Sequence, residues 1–193
     1  MEDQILIGAR FLLAAVFGIA FIGKARSLQR FRGFVVSVVR LSGTTERTAR
    51  PVAATVVLLE GIATGLLLFA TTAWWGLLLA TALLTLFLGV IARAVRAGVL
   101  AECRCFGGSG AAMSYPMLIR NGILIAAALP GLVHGLLHGL DQPAFAWPGS
   151  LAAAAVGVGL ALAMVRYYDS LAEMLLVRLA PPRPPVPAGA DRS

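Results

Sequence analysis

The residues of this chain best suited to chemistry are its two cysteines, Cys103 and Cys105, which are the only cysteines among 193 residues. A disulfide at C-x-C spacing closes a small ring that strains the preferred torsion, so it is reduced more easily than a relaxed structural bridge. Arg104 lies between the two thiols and favours thiolate over thiol. The adjacent Phe106 and Gly107 permit a tight turn near apolar surroundings. This pattern favours reversible thiol–disulfide chemistry.

Two other interpretations of the cysteine pair stay open at this point. Two thiolates at this spacing can also supply two of the ligands of a bound metal ion. Cysteines beside a membrane segment are also targets of lipid modification. We rank both below the redox interpretation and assign no metal to the site.

The composition places the chain among integral membrane proteins. It is 59% hydrophobic and 13% charged, and its mean hydropathy is +0.87, which is too apolar for a soluble domain. The net charge of +7 comes from arginines clustered beside apolar runs, as in membrane flanks, so a nucleic-acid partner is excluded. The first apolar run has neither a basic leader nor a convincing cleavage site, so we expect it to be retained as a helix.

The apolar runs predict an all-α integral membrane protein: a four-helix transmembrane bundle plus a fifth C-terminal transmembrane helix and an amphipathic interfacial helix. The five predicted spans are about 5–23, 51–72, 74–92, 117–137 and 148–165. The amphipathic helix is predicted at 27–41, within one bundle domain over 1–166. A second interfacial helix is expected at 167–180, and a disordered Pro-rich tail at 181–193.

Glu60 is the second candidate site residue, because it lies inside an apolar span. A carboxylate there costs roughly 2.5 kcal/mol or more on insertion, so it tends to be paired, protonated or functional. Its partner is expected to be Arg10, Lys24 or Arg120. A structural hydrogen bond between helices and a role as proton acceptor are weighed evenly.

Arg120 and Asn121 open the fourth span, directly after the cysteine loop. The guanidinium is placed either to stabilise a thiolate or an anionic group, or to extend to the membrane interface. We include Arg120 among the candidate site residues.

Four short stretches together resemble a known family, the methylamine-utilisation MauE branch of the DoxX-like redox-associated membrane proteins. They are Gly23-Lys24, Leu58-Leu59-Glu60, Cys103-Arg104-Cys105-Phe106-Gly107 and Arg120-Asn121. The resemblance covers about residues 5–137, and the family more often has glycine at the position of Arg104. It implies a bacterial inner-membrane protein that handles thiol–disulfide equivalents, often alongside a thioredoxin-like partner.

The leading functional hypothesis is a membrane thiol–disulfide oxidoreductase or electron carrier. Cys103 and Cys105 would cycle between dithiol and disulfide, Arg120 would favour the thiolate, and Glu60 would handle protons. Because there is a single thiol pair, the mechanism requires alternating access of the cysteine loop, a quinone or a second protein. The alternative is a non-enzymatic membrane scaffold or assembly subunit whose cysteine loop binds a partner or a metal.

Basic residues predict the orientation of the spans. They are concentrated between the first two spans, around the cysteine loop and after the fifth span. The positive-inside rule therefore places the N-terminus outside and the cysteine loop on the cytoplasmic side. Disulfides usually form outside the cytosol. We reconcile the two by a loop that folds inward, carrying Phe106 and Met113 into the bundle so that the thiols are partly buried.

This orientation is tested by thiol labelling of reduced, sealed, right-side-out vesicles. A membrane-impermeant reagent is expected to label the cysteines poorly and a permeant reagent to label them well. Opening the vesicles with detergent controls for thiol accessibility. Rapid labelling of intact vesicles by the impermeant reagent would mean that the orientation is inverted.

Overall fold

The computed structural model describes residues 2–96, 102–103, 111–112, 115–140, 143 and 148–179. Within these residues the chain forms six helices and one pair of two-residue strands. The elements are α1 (Glu2–Ala25), α2 (Leu28–Ser42), α3 (Glu46–Leu68), α4 (Ala73–Arg96), β1 (Glu102–Cys103), β2 (Ala111–Ala112), α5 (Tyr115–His138) and α6 (Gly149–Leu179). The predicted tail at 181–193, and Phe106 and Met113 of the predicted inward loop, lie outside the described residues.

Five of these helices are long and apolar enough to cross a membrane, by length and composition. They are α1, α3, α4, α5 and α6, and each agrees with one span predicted from the apolar runs. The prediction of an all-α integral membrane protein is confirmed. The two-residue strands do not alter this class.

Helix α3 begins before the position that the sequence predicted. Pro51 was expected at its start, yet α3 begins at Glu46 and contains Pro51. Thr45 precedes the helix as its N-cap residue, and Arg50 binds Glu46 one turn away, with Nη2 and Oε1 2.8 Å apart. Pro51 is the sixth residue of α3, past the first turn, and it has no N–H to donate to the carbonyl oxygen of Arg47.

Helix α6 also differs from its predicted length. A span at 148–165 and a separate interfacial helix at 167–180 were expected, but one continuous helix runs from Gly149 to Leu179. The sequence between Gly159 and Leu179 has no glycine or proline that would end a helix. The change from apolar to mixed composition near Arg166 therefore marks no break in the backbone.

Helix α1 packs on α3 and α6 through small residues. Gly18 faces Thr64 of α3 and Phe21 faces Gly61 of α3, so these two helices are antiparallel. This alignment places the C-terminal end of α1 level with the middle of α3. Helices α4 and α5 are also antiparallel, and Trp74 Nε1 at the start of α4 donates to the carbonyl oxygen of Leu132 near the end of α5 at 3.2 Å.

Helix α2 packs against the part of α3 that α1 does not reach. Ser27 caps its N-terminus by accepting a hydrogen bond from the Arg30 amide at 3.3 Å, and Gly43 ends it with φ of 66°. Phe34 and Val35 are buried in one apolar cluster with residues of the first half of α3. Its polar face carries the exposed arginines Arg30, Arg32 and Arg40. The location of α2 on the membrane surface stays a prediction.

Gly157 sets the distance between α1 and α6. A Cβ atom at this position would fall on the main chain of α1, at the carbonyl of Gly8 and within 3.0 Å of the Leu12 amide nitrogen. Gly159, two residues later on the same helix, has nothing within 4 Å of such an atom. Of these two glycines, only Gly157 would bring a Cβ atom against another helix.

We expect Gly157→Ala to lower the free energy of unfolding by about 1–3 kcal/mol, because the backbone of α1 must move away. Gly159→Ala is the matched control, and it should be neutral or slightly stabilising because alanine favours a helix over glycine. Unfolding of the full chain in detergent micelles measures both. Equal effects of the two substitutions would contradict this close contact between α1 and α6.

Candidate functional site

A small cavity lies where α1, α3, α4 and α5 meet. Its volume is about 40 Å³, which is room for more than one water molecule. Four of its lining residues are polar: Lys24 from α1, Glu60 from α3, and Arg120 and Asn121 from α5. The remaining lining is aliphatic and aromatic. The arrangement is a polar patch enclosed within an apolar bundle.

Lys24 and Glu60 form a buried ion pair in which Lys24 Nζ donates a hydrogen bond to Glu60 Oε1. Each side chain is only 2% exposed. Of the three cations that the sequence offered as partners for Glu60, the structure selects Lys24. Arg10 is elsewhere, where its Nη1 donates to the carbonyl oxygen of Pro143 at 3.3 Å.

Two aromatic rings complete the surroundings of Lys24. Its Nζ atom lies 4.7 Å from the ring centroid of Phe34 in α2 and 5.8 Å from that of Phe87 in α4. Aromatic faces attract cations, and the attraction is stronger away from water. The ammonium group at the end of α1 is therefore held by one carboxylate and two rings, which come from three different helices.

The two carboxylate oxygens of Glu60 differ in their hydrogen bonding. Glu60 Oε2 is buried and has no hydrogen-bond partner among the described residues. The Thr64 hydroxyl, one turn along α3, donates to the backbone carbonyl of Glu60 at 2.8 Å rather than to the carboxylate. An oxygen in this state can accept a hydrogen bond from a molecule in the cavity.

Arg120 and Asn121 lie in the second turn of α5 and are buried, with exposed fractions of 7% and 5%. Because Arg120 lines the cavity, its side chain is directed into the bundle and does not extend to the membrane interface. The structure therefore brings the predicted site residues Glu60 and Arg120 to one cavity. Two cationic side chains and one anionic side chain share it.

The cysteine segment is described only in part. The backbone of Cys103 belongs to β1 and pairs antiparallel with Ala111 of β2, while Glu102 pairs with Ala112. Strand β1 lies beside α2. The side chain of Cys103 and the whole of Cys105 lie outside what the structure describes. Their predicted roles therefore stay predictions.

The cavity does not fit a quinone, which the sequence left open as an electron acceptor. A cavity that holds a six-membered aromatic ring has a volume of about 150 Å³, whereas this one has about 40 Å³. The lining residues therefore suit water or a single small polar group.

The sequence profile of the family described as "Methylamine utilisation protein MauE" matches residues 2–134. The chain belongs to the MauE family. No curated protein and no solved structure matches the chain. The matched region contains every residue that lines the cavity and ends before α6.

The sequence pattern does not mark two of the polar residues that line this cavity, Lys24 and Asn121, as site residues. Lys24 was one of three candidate partners for Glu60, and it otherwise resembled the usual basic flank at the end of a span. Asn121 was noticed only beside Arg120. The signal that could have found both was the set of stretches shared with the family, since Lys24 and Asn121 each lie in one of them.

We expect Lys24→Met to lower the free energy of unfolding by about 3–5 kcal/mol, because it leaves the buried charge of Glu60 without its counter-ion. The double variant Lys24→Met/Glu60→Met should recover most of this loss, since a buried pair is often replaceable by apolar residues of similar volume. Denaturation of the full chain in detergent micelles measures both.

Arg50→Met is the control for this experiment. It removes the cation of the pair with Glu46 on α3, whose side chains are about 60% exposed, and it should cost less than about 1 kcal/mol. Glu60→Met completes the cycle, and a double variant that loses as much stability as the two single variants added together would show that the pair has no coupled role in stability.

Proposed function

We propose that this MauE-family protein is a membrane thiol–disulfide oxidoreductase or electron carrier in which Cys103 and Cys105 cycle between dithiol and disulfide. Its partner would be a thioredoxin-like protein engaged in the maturation of another protein, at the bacterial inner membrane. The observation that carries the proposal is that the cysteine segment, with the Cys103 backbone in β1, joins the two helix ends toward which the buried polar cavity lies.

The loop and the cavity lie toward the same end of the bundle. The cysteine segment joins the end of α4 to the start of α5. Arg120 and Asn121 follow that start by less than two turns, and Ile91 precedes the end of α4 by five residues. All three line the cavity. A group that reacts in the loop would therefore have a polar, partly enclosed space nearby.

Positive charge near the loop also supports a thiolate mechanism. Arg104 separates the two cysteines, and β1 lies beside α2, whose arginines Arg30 and Arg32 are exposed. Thiolate is the nucleophile in disulfide exchange, and neighbouring cations stabilise it relative to thiol. The same charges would favour a partner with an acidic docking face.

The proposed reaction is an exchange with a disulfide of the partner. A cysteine thiolate attacks one partner sulfur, the second cysteine resolves the mixed disulfide, and a disulfide forms on this chain. Two electrons and two thiol protons end on the partner, which becomes a dithiol. In this proposal the electrons pass to the protein partner. In this proposal Arg120 favours the thiolate form and Glu60 handles protons.

The test is thiol counting on the full chain in membranes, before and after a mild reductant. We expect two additional reactive thiols per chain after reduction, and none in the Cys103→Ser/Cys105→Ser variant. The reduced protein should also reduce an oxidised thioredoxin-like domain, and the serine variant should not.

The single variants Cys103→Ser and Cys105→Ser serve as controls, because each retains one thiol but cannot form the internal disulfide. An unchanged thiol count in the native protein, together with normal function of the double serine variant in cells, would favour the scaffold or assembly alternative.

A further inference from the structure

The residues that line the cavity come from successive turns of the helices. Leu84, Phe87 and Ile91 line it from α4, and a helix rises about 10 Å over these seven residues. Leu84 lies at the deeper end, while Ile91 approaches the end of α4 at Arg96, from which the cysteine segment starts. The cavity therefore extends from the interior of the bundle toward the loop.

One acceptor in this space is incompletely hydrogen-bonded. Glu60 is 1% exposed and lines the cavity, and its Oε2 atom has no partner among the described residues. Buried carboxylate oxygens rarely lack a donor, since leaving one unsatisfied is costly. A volume of about 40 Å³ admits more than one water molecule, and water is a donor of the right size.

Among the residues that the structure describes, few charged groups face Glu60. Helix α1 presents Lys24, and α5 presents Arg120 beside Asn121. Helix α4 presents only apolar side chains to the cavity, and α2 contributes the ring of Phe34 against Lys24. A proton that reaches this carboxylate therefore meets one ammonium group and one guanidinium group.

We propose that water in this cavity contacts Glu60 Oε2 and carries protons between the Lys24–Glu60 pair and the cysteine loop. The pair is thus a proton-exchange site, with Lys24 as the residue that holds the carboxylate in position. This inference rests on the thiol–disulfide function proposed above for Cys103 and Cys105.

The proton balance of the exchange defines the role of this site. The attacking cysteine gives its thiol proton, through water, to Glu60 as its sulfur bonds to the partner's sulfur. The partner's disulfide breaks, and the leaving thiolate takes up a proton returned from Glu60. Resolution by the second cysteine transfers the second thiol proton in the same way. After one turnover Glu60 is unchanged, and the partner holds both electrons and both protons.

Access of water to Glu60 is tested by infrared spectroscopy of the full chain in phosphatidylcholine–phosphatidylglycerol bilayers. The carboxyl bands of Glu60 are those that disappear in Glu60→Gln. We expect them to shift on exchange from H₂O to D₂O, both in the native protein and in the Cys103→Ser/Cys105→Ser variant. Bands that do not shift in either protein would overturn the hydrated cavity, whatever the thiols do.

The proton role is tested by the rate at which glutathione disulfide oxidises the reduced thiol pair, measured across pH. Glu60→Gln should lower this rate by about 10²-fold, the usual contribution of a positioned base. The residual rate should increase with pH, since hydroxide must then remove the proton. Wild-type rates and a wild-type pH profile in Glu60→Gln would overturn the proposal.

A cavity-filling variant distinguishes the loss of a proton acceptor in Glu60→Gln from a folding defect. Ala20 lines the cavity, so Ala20→Leu should displace water, leave the ion pair present and reduce the rate in the same direction. Ala54→Leu adds the same atoms at an exposed site on α3 and should behave like wild type. A native rate in Ala20→Leu would also overturn the proposal. If the Glu60 bands shift in D₂O but thiol counting finds no redox-active thiols, only the thiol–disulfide function is refuted.

Discussion

The buried pair of Lys24 and Glu60 is the interaction on which the organisation of this bundle depends. A lone carboxylate or ammonium inside a membrane span is costly, so α1 and α3 are expected to be stable together only in the register that joins the two groups. Glycines at the contact, Gly18 against Thr64 and Gly61 against Phe21, allow the helices to approach closely enough for this. The ring faces of Phe34 and Phe87 then surround the ammonium, which couples α2 and α4 to the same point.

Helix α1 ends partway along α3, and this explains why a polar cavity lies beside the Lys24–Glu60 pair. Helix α1 ends level with the middle of α3, and α2 continues the packing along the first half of α3. Lys24, the last basic residue of α1, is consequently enclosed by other helices instead of extending to an interface. Arg120 and Asn121 approach the same place from α5. Apolar packing elsewhere, such as the contact of Gly157 with α1, keeps the polar groups confined to this part of the bundle.

In the proposed mechanism, the reactive thiols and the buried ionisable groups belong to two different regions of the chain. The thiols belong to the segment between α4 and α5, which the proposal assigns to exchange with a partner. The ionisable groups are inside, where few waters compete for their hydrogen bonds. Such a division lets a reactive loop change its covalent state while the proton acceptor stays in a fixed position. The MauE match covers both regions and ends before α6.

The sequence by itself determined the number and approximate extent of the spans, because a run of about twenty apolar residues in a chain of this composition has few alternatives to a membrane helix. It also identified the C-x-C pair and the unusual carboxylate Glu60. The tertiary structure decided which of Arg10, Lys24 and Arg120 meets Glu60, that Arg120 is directed inward, and that α6 continues to Leu179. The physical reason is that lipid is as apolar as the interior of a helix bundle. Hydrophobic periodicity therefore does not distinguish the two faces of a span, and the partners of a buried charge depend on helix register and rotation, which only packing fixes.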